Sequence, residues 1–193
     1  MPPKFKFTKE EIIETALNMV RENGIESITA RSLAERLGSS SKPVFSLFSN
    51  MDEVLLETVK AIRNIYNQYI IKGLSSEIPF KGVGTQYILF AIYEPKLFQV
   101  LFMRDLGKKA DAVNTLPMID DNYSEILSSV QKQYAFSEDE AKKLYKHLWI
   151  YTHGIASLIA TGVCCFTAEE ISSMMTEVCK SLVSQTRVEQ NKV

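Results

Sequence analysis

The chain has 193 residues, of which 46% are hydrophobic and 23% are charged, and its formal net charge is -1. This length and hydrophobic content allow one or two domains with a buried core and exclude a disordered chain. A net charge so close to zero excludes binding to nucleic acid through overall charge, so any such contact needs positive charge concentrated on one face.

Helical periodicity runs through the chain and no segment alternates like a β-strand, which predicts an all-α fold. Thr8 is a suitable N-cap for a first helix, and Asn23-Gly24 is a suitable end for it. Thr29 begins a second helix that Gly38 ends, and a third short helix follows. We therefore expect three short helices to pack together in residues 1–50.

Asn50, with Glu53 three residues later, forms the capping-box pattern that begins a long fourth helix. The periodicity then predicts an apolar helical bundle, with helices at 87–93, 97–103, 120–134 and 137–162 and a last helix capped by Thr167. We expect the long helix to connect the two domains. The second domain then covers residues 51–185, and residues 186–193 form a polar, frayed tail.

The stretch from Leu148 to Ala168 contains no charged residue and is long enough to suggest a membrane span. It also contains His153, several threonines and two glycines, and polar groups are costly at the centre of a bilayer. We therefore predict a buried helix between protein neighbours and no contact with a membrane.

The three cysteines, Cys164, Cys165 and Cys179, are too few and too clustered for a secreted disulfide framework. No basic and then apolar segment of the secretory type opens the chain, so we expect a cytoplasmic protein. The adjacent pair suggests metal binding or redox sensing, but its spacing is poor for a metal. Small buried hydrophobic side chains are the simpler interpretation, and we expect no cofactor.

The run LAERLGSSSKPVFSLF, Leu33 to Phe48, contains two short helices joined by a turn with a glycine, which is typical of the helix-turn-helix. Gly38 permits the chain reversal, and Ser40 or Ser41 caps the second helix. Free N–H groups, small hydroxyls and a lysine at that helix start suit phosphates and base edges. The alternative is an ordinary helical hairpin with no ligand.

Periodicity divides the third helix into two faces. Val44, Phe45 and Phe48 are expected to pack inward, which leaves Ser41, Lys42, Ser46 and Leu47 outward. Pro43 lies in the first turn, where its missing N–H removes no helical hydrogen bond.

Residues 8–55, including the run GIESITARSLAERLGSSSKPVFSLFSNMDEVL, resemble the N-terminal domain of TetR/AcrR-family transcriptional repressors. The resemblance implies a double-stranded DNA operator as partner. With Pro43 added from its place at the helix start, the DNA-facing set is Thr29, Arg31, Ser40, Ser41, Lys42, Pro43, Phe45 and Ser46.

The chain departs from the pattern of that family at three places. Phe45 stands where the family usually has a tyrosine whose hydroxyl contacts phosphate, and Met51 stands where it usually has a lysine. Lys42-Pro43 replaces a common Gly-Thr pair. The resemblance therefore implies DNA binding without implying the operator sequence.

The segments FAIYEPKLFQVLF and HLWIYTHGIASLIATG resemble the WHG-type C-terminal domain found in part of the same family, named for Trp149, His153 and Gly154. That resemblance implies a pocket for a small-molecule inducer. It also implies a homodimer in which the last two helices pair with their copies.

A helical bundle with bulky aromatic side chains and a few polar tips can also line an apolar ligand cavity. The candidate ligand-binding residues are Tyr66, Tyr87, Phe90, Phe98, Phe102, Met103, Met118, Trp149 and His153. The alternative is that these side chains form a close-packed core, with His153 as an ordinary core histidine.

His153 and Ser157 are spaced for contact on one helix, which raises the possibility of nucleophilic catalysis. That chemistry also needs a carboxylate that orients the histidine, and no acidic residue occurs between Leu148 and Ala168. We therefore do not expect an enzyme.

The sequence predicts a sequence-specific transcriptional repressor, released from its operator by a small apolar or amphipathic ligand. Two alternatives remain open: a DNA-binding regulator with a packed core and no effector, and a helical interaction protein or enzyme with an incidental helical hairpin.

Overall fold

The computed structural model describes residues 7–104 and 115–191, and of Met118 the backbone alone. Within these ranges the fold is all-α, as predicted, and contains ten α-helices and no strand. The helices are α1 Lys9–Asn23, α2 Ala30–Arg36, α3 Lys42–Leu47, α4 Met51–Leu74, α5 Pro79–Tyr93, α6 Pro95–Phe102, α7 Thr115–Ile119, α8 Tyr123–Tyr134, α9 Glu138–Ala160 and α10 Ala168–Gln190.

The capping residues set the helix starts as the sequence predicts. Capping boxes, in which side chain and backbone satisfy each other, begin α1 at Thr8, α2 at Thr29, α9 at Ser137 and α10 at Thr167. At the start of α4, Asn50 Oδ1 accepts a hydrogen bond from the Glu53 backbone N–H at 2.9 Å.

Two helix boundaries differ from the expectation by several residues, and α7 is a further short helix that was not expected. The fifth helix begins at Pro79 rather than near residue 87, because a proline is well placed in a first helical turn and an apolar run follows it. The predicted frayed tail is helical as far as Gln190, where Lys143 Nζ of α9 lies 3.0 Å from Glu189 Oε2. Residues 192–193 lie outside the described residues.

The chain divides into two compact units. The first comprises Met1–Ile65 with Glu94–Arg104, and the second comprises Tyr66–Tyr93 with Asp105–Val193. The division therefore falls within α4, and α6 belongs to the first unit. The sequence instead predicts a boundary at residue 50, because the order and lengths of the helices cannot show which helices return to an earlier part of the chain.

The core of the first unit forms where α1 packs against α2 and α6. The apolar stripe of α1 is fully buried at Ile12, Ala16 and Val20. An ion pair joins the same helices: Arg21 Nη2 lies 2.9 Å from Glu94 Oε1, and Arg21 Nε lies 3.0 Å from Glu94 Oε2. This two-point geometry holds the start of α6 against the end of α1.

The second unit is organised around α9, which contacts α5, α8 and α10. The buried face of α9 includes Ala141, Leu144, Leu148 and Ile155. Small side chains on that face let neighbouring helices approach closely. Helix α10 is more exposed, since Val183 and Thr186 are its only buried residues. Among the described residues, no helix has the length and apolar character needed to span a membrane.

The cysteines are not the buried hydrophobic side chains that the sequence suggests. Cys165 is exposed and Cys164 is half-buried in the segment between α9 and α10, while Cys179 is half-buried on α10. All three are free thiols. Among the described residues, no group of three histidine, cysteine or acidic side chains is placed to hold a metal ion.

Candidate functional site

At the start of α3, an exposed lysine lies next to a serine whose side chain does not cap the helix. Ser41 is the N-cap residue, but its side chain makes no capping hydrogen bond to α3. Lys42 is the first helical residue and is exposed, with Pro43 following it in the first turn. The hydroxyl of Ser41 and the ammonium of Lys42 are therefore available to a partner.

Of the three side chains in and after α3 that are expected to pack inward, two are buried and one is not. Val44 and Phe48 are buried and hold the helix to the first unit. Phe45 is 46% exposed, so the expectation from periodicity that it packs inward is wrong. A helix of six residues is too short for the periodicity to define its faces. Ser46 is exposed and donates to the Pro43 carbonyl at 2.7 Å.

The cationic side chains of the first three helices fall into two groups. Lys9 pairs with Glu53 at 3.2 Å, Arg21 pairs with Glu94, and Arg36 pairs with Glu22. Arg31 and Lys42, by contrast, have no carboxylate partner among the described residues, and both are exposed. These two residues stand at the starts of α2 and α3, the two helices of the predicted DNA-binding motif.

The remaining members of the predicted DNA-facing set are distributed as follows. Thr29 and Ser40 are exposed, and Ser41 and Pro43 are half-buried. The Thr29 hydroxyl accepts a hydrogen bond from the Ser32 backbone N–H at 3.1 Å, so this side chain has a structural role in capping α2.

The second unit contains a cavity of about 700 Å³ whose wall is formed mainly by α5, α9 and α10. Most of the lining side chains are apolar or aromatic, including Phe80, Ile88, Leu148, Ile171 and Met175. Pockets of this size and character typically hold small organic molecules with a few placed polar groups.

One part of the cavity wall is polar and built around Asp120, which follows α7 and is 5% exposed. Its Oδ2 accepts hydrogen bonds from the hydroxyls of Tyr66, at 3.2 Å, and Tyr145, at 3.1 Å. Its Oδ1 accepts the Asn122 backbone N–H at 3.0 Å. Burial raises the pKa of the Asp120 carboxyl, and these hydrogen bonds oppose the increase. Burial and the neighbouring carboxylate raise the pKa of both tyrosines.

A second polar group involves Tyr87, which lines the cavity, and His153, which does not. The Tyr87 hydroxyl lies 2.9 Å from His153 Nδ1. A neutral imidazole can accept the hydroxyl proton of Tyr87 at this nitrogen. Burial lowers the pKa of His153, which favours the neutral ring that this arrangement requires.

The structure brings together only part of the predicted ligand-binding set. Tyr66, Tyr87 and Trp149 line the cavity, and His153 stacks on Trp149 with ring centroids 5.2 Å apart. Phe90 is fully buried against Tyr66 and does not line the cavity.

Phe98 and Phe102 belong to α6, and Met103 follows it, so all three lie in the first unit. Phe98 is fully buried there against Phe102. The side chain of Met118 lies outside the described residues.

The cavity is also lined by four residues that the sequence does not predict there: Asp120, Tyr145, Met175 and Cys179. Tyr145 stands four residues before Trp149, so the helical period places both on one face of α9 and gives a usable signal. Asp120 has no comparable signal, because a lone acid after a short helix is more typical of an exposed turn.

No protein-family model matches the chain, and no curated protein matches it. Among solved structures, the chain is similar to the crystal structure of a TetR variant from Acinetobacter baumannii AYE in complex with minocycline, with a TM-score of 0.53 and 15% sequence identity. The match covers 94% of this chain and 97% of that chain. The protein therefore has the all-α fold of a TetR repressor.

Proposed function

We propose that the protein is a homodimeric transcriptional repressor that binds a specific DNA operator and is released by a small apolar or amphipathic ligand. The observation that carries the DNA-binding part is the pair Arg31 and Lys42, exposed and without a carboxylate partner among the described residues. Unpaired cations at the starts of the two motif helices suit contact with phosphates. The TetR-like fold supports the same assignment.

A dimer is part of the proposal because one short recognition helix reads too few base pairs to specify a genomic site. The outer face of α9 supports it: Ile150 is 53% exposed and Leu158 is 40% exposed. Gly154 lies between them, and a Cβ added there would meet no atom within 4 Å. Among the described residues, no atom fills the space beside Gly154, which leaves room there for a helix from a second copy.

Release by a ligand is supported by the cavity in the second unit. A cavity of about 700 Å³ argues against the alternative of a packed core without an effector. The two recognition helices of the dimer must be spaced to enter consecutive major grooves. A ligand that binds more tightly to a dimer with a different spacing would shift the population toward that dimer and so release the DNA.

Selection of bound sequences from random DNA duplexes, with the purified full chain, tests the proposed function. We expect enrichment of a near-palindromic site with affinity that falls steeply as salt increases. Absence of any enriched sequence at low salt would contradict the assignment. That result would favour the helical interaction protein instead.

A further inference from the structure

The polar part of the cavity wall is a buried carboxylate with neutral partners. Asp120 lines the cavity and is 5% exposed, and its hydrogen bonds come from Tyr66, Tyr145 and the backbone of Asn122. Among the described residues, no lysine, arginine or histidine forms an ion pair with it. A buried charge without a counter-charge is costly, and a cation that enters the cavity would offset that cost.

The two tyrosines that hydrogen-bond Asp120 belong to a cluster of aromatic rings. The ring of Tyr145 stacks on Tyr123 at 5.7 Å and meets Phe80 edge-on at 5.9 Å. Tyr66 meets Tyr87 edge-on at 6.0 Å. Ring faces attract cations, and a carboxylate among aromatic rings is therefore a suitable environment for an ammonium group.

The other charged groups of the cavity wall are two lysines, Lys81 and Lys180. Both side chains are exposed, so water solvates and screens their charges. The buried carboxylate therefore dominates the charge that a ligand group in the cavity meets, and the rest of the wall is uncharged and mainly apolar or aromatic.

We propose that the cavity binds a lipophilic amine, with its ammonium group against the carboxylate of Asp120 and its hydrocarbon part along α5, α9 and α10. This inference names the class of ligand that the cavity binds, and it rests on the proposed function only for the biological role of that ligand. Binding of the amine is measured without DNA, so the ligand class and the repressor function can be contradicted independently.

Three probes of equal chain length, dodecylamine, dodecanol and dodecanoate, test the proposal below their micelle concentrations. Binding to the full chain is followed by Trp149 fluorescence and by the shift in melting temperature, since Trp149 lines the cavity and is the only tryptophan. We expect the amine to bind about tenfold or more tightly than the alcohol, as a charge-assisted hydrogen bond implies. The carboxylate should bind most weakly.

Asp120→Asn should remove the preference for the amine over the alcohol. Asp121→Asn is the matched control, because Asp121 is adjacent and acidic but exposed, and it accepts from Asn67 Nδ2 at 2.8 Å rather than lining the cavity. Equal affinity of the wild-type protein for amine and alcohol would overturn the proposal, even if Asp120→Asn does not fold. So would an amine preference that survives Asp120→Asn.

The affinity of the full chain for its operator, measured with and without the amine, distinguishes this inference from the proposed function. An amine that binds with the expected preference but leaves operator affinity unchanged supports the ligand class and contradicts induction. An amine that releases DNA supports both.

Discussion

Gly73, near the end of α4, and Gly82, near the start of α5, bring their backbones into direct contact. A Cβ added at Gly73 would lie 2.7 Å from the Val83 backbone nitrogen and 2.8 Å from the carbonyl carbon of Gly82. A Cβ added at Gly82 would overlap the carbonyl oxygen of Gly73 and the hydroxyl of Ser76. Glycine at both positions therefore lets two consecutive helices pack at backbone distance within the second unit.

Replacement of Gly82 by alanine should destabilise the protein by roughly 1–3 kcal/mol, because the added methyl group meets backbone that cannot move aside easily. Gly84→Ala is the control: it also lies within α5, but its Cβ would come no closer than 3.5 Å to another atom, the Cε of Met175, which is an ordinary contact. That change should leave stability unchanged or raise it by about 0.5–1 kcal/mol, since alanine favours a helix. Urea unfolding of both variants measures the difference, and equal effects would contradict the contact.

The starts of the helices show which parts of the fold can be predicted from the sequence. Capping residues such as Thr8, Ser137 and Thr167 predict helix starts because their hydrogen bonds are local. The start of α5 at Pro79 was missed, because glycines at 82 and 84 disfavour a helix locally. The glycine at 82 is explained by its close packing on Gly73, a contact that the local sequence does not show.

In the candidate sites too, the sequence predicts features that depend on neighbouring residues and does not predict features that depend on distant ones. The exposed positions of Arg31 and Lys42 follow from their places at helix starts, which the sequence shows. The cavity depends on which distant helices meet, so Asp120 and Tyr145 were missed. For the same reason Phe98 and Phe102 were assigned to the cavity, although α6 belongs to the first unit.

Lys42→Ala should weaken operator binding and flatten its dependence on salt by about one released counterion. Lys42 is exposed at the start of α3 and has no carboxylate partner among the described residues, so the change should leave stability almost unaffected. Lys72→Ala is the control, an exposed lysine near the end of α4. Affinity measured across a salt series decides the matter: identical slopes for Lys42→Ala and the wild type would remove Lys42 from the interface.

Ile150→Glu should dissociate the proposed dimer, with the dissociation constant raised about tenfold or more, because a carboxylate would be buried at the interface. Ile71→Glu is a closely matched control, since both isoleucines are 53% exposed and both lie in the second unit. Analytical ultracentrifugation over a concentration series gives the dissociation constants. A dimer that tolerates Ile150→Glu as well as Ile71→Glu would place the interface away from this face of α9.

The buried carboxyl of Asp120 should contribute a decrease in the free energy of unfolding as pH rises, and the amide variant should lack this contribution. Burial raises the pKa of Asp120, so the folded chain binds this proton more tightly than the unfolded chain, whose carboxyl titrates near pH about 4. The resulting contribution to stability is fully present below that value and is lost as pH rises through the raised pKa of the folded state. Asp120→Asn cannot lose it, because the amide does not titrate.

The melting temperature of Asp120→Asn, relative to the wild type, should therefore increase as pH is raised from about 3.5 to about 7. The absolute difference at one pH is a weaker test, because the amide also changes the hydrogen bonds to Tyr66 and Tyr145. The trend with pH is the stronger test, because the carboxyl of the wild type titrates at this position and the amide does not. Asp121→Asn removes an adjacent, exposed carboxylate and is the control for the change in overall charge. The same trend in both variants would assign the effect to overall charge rather than to the buried carboxyl.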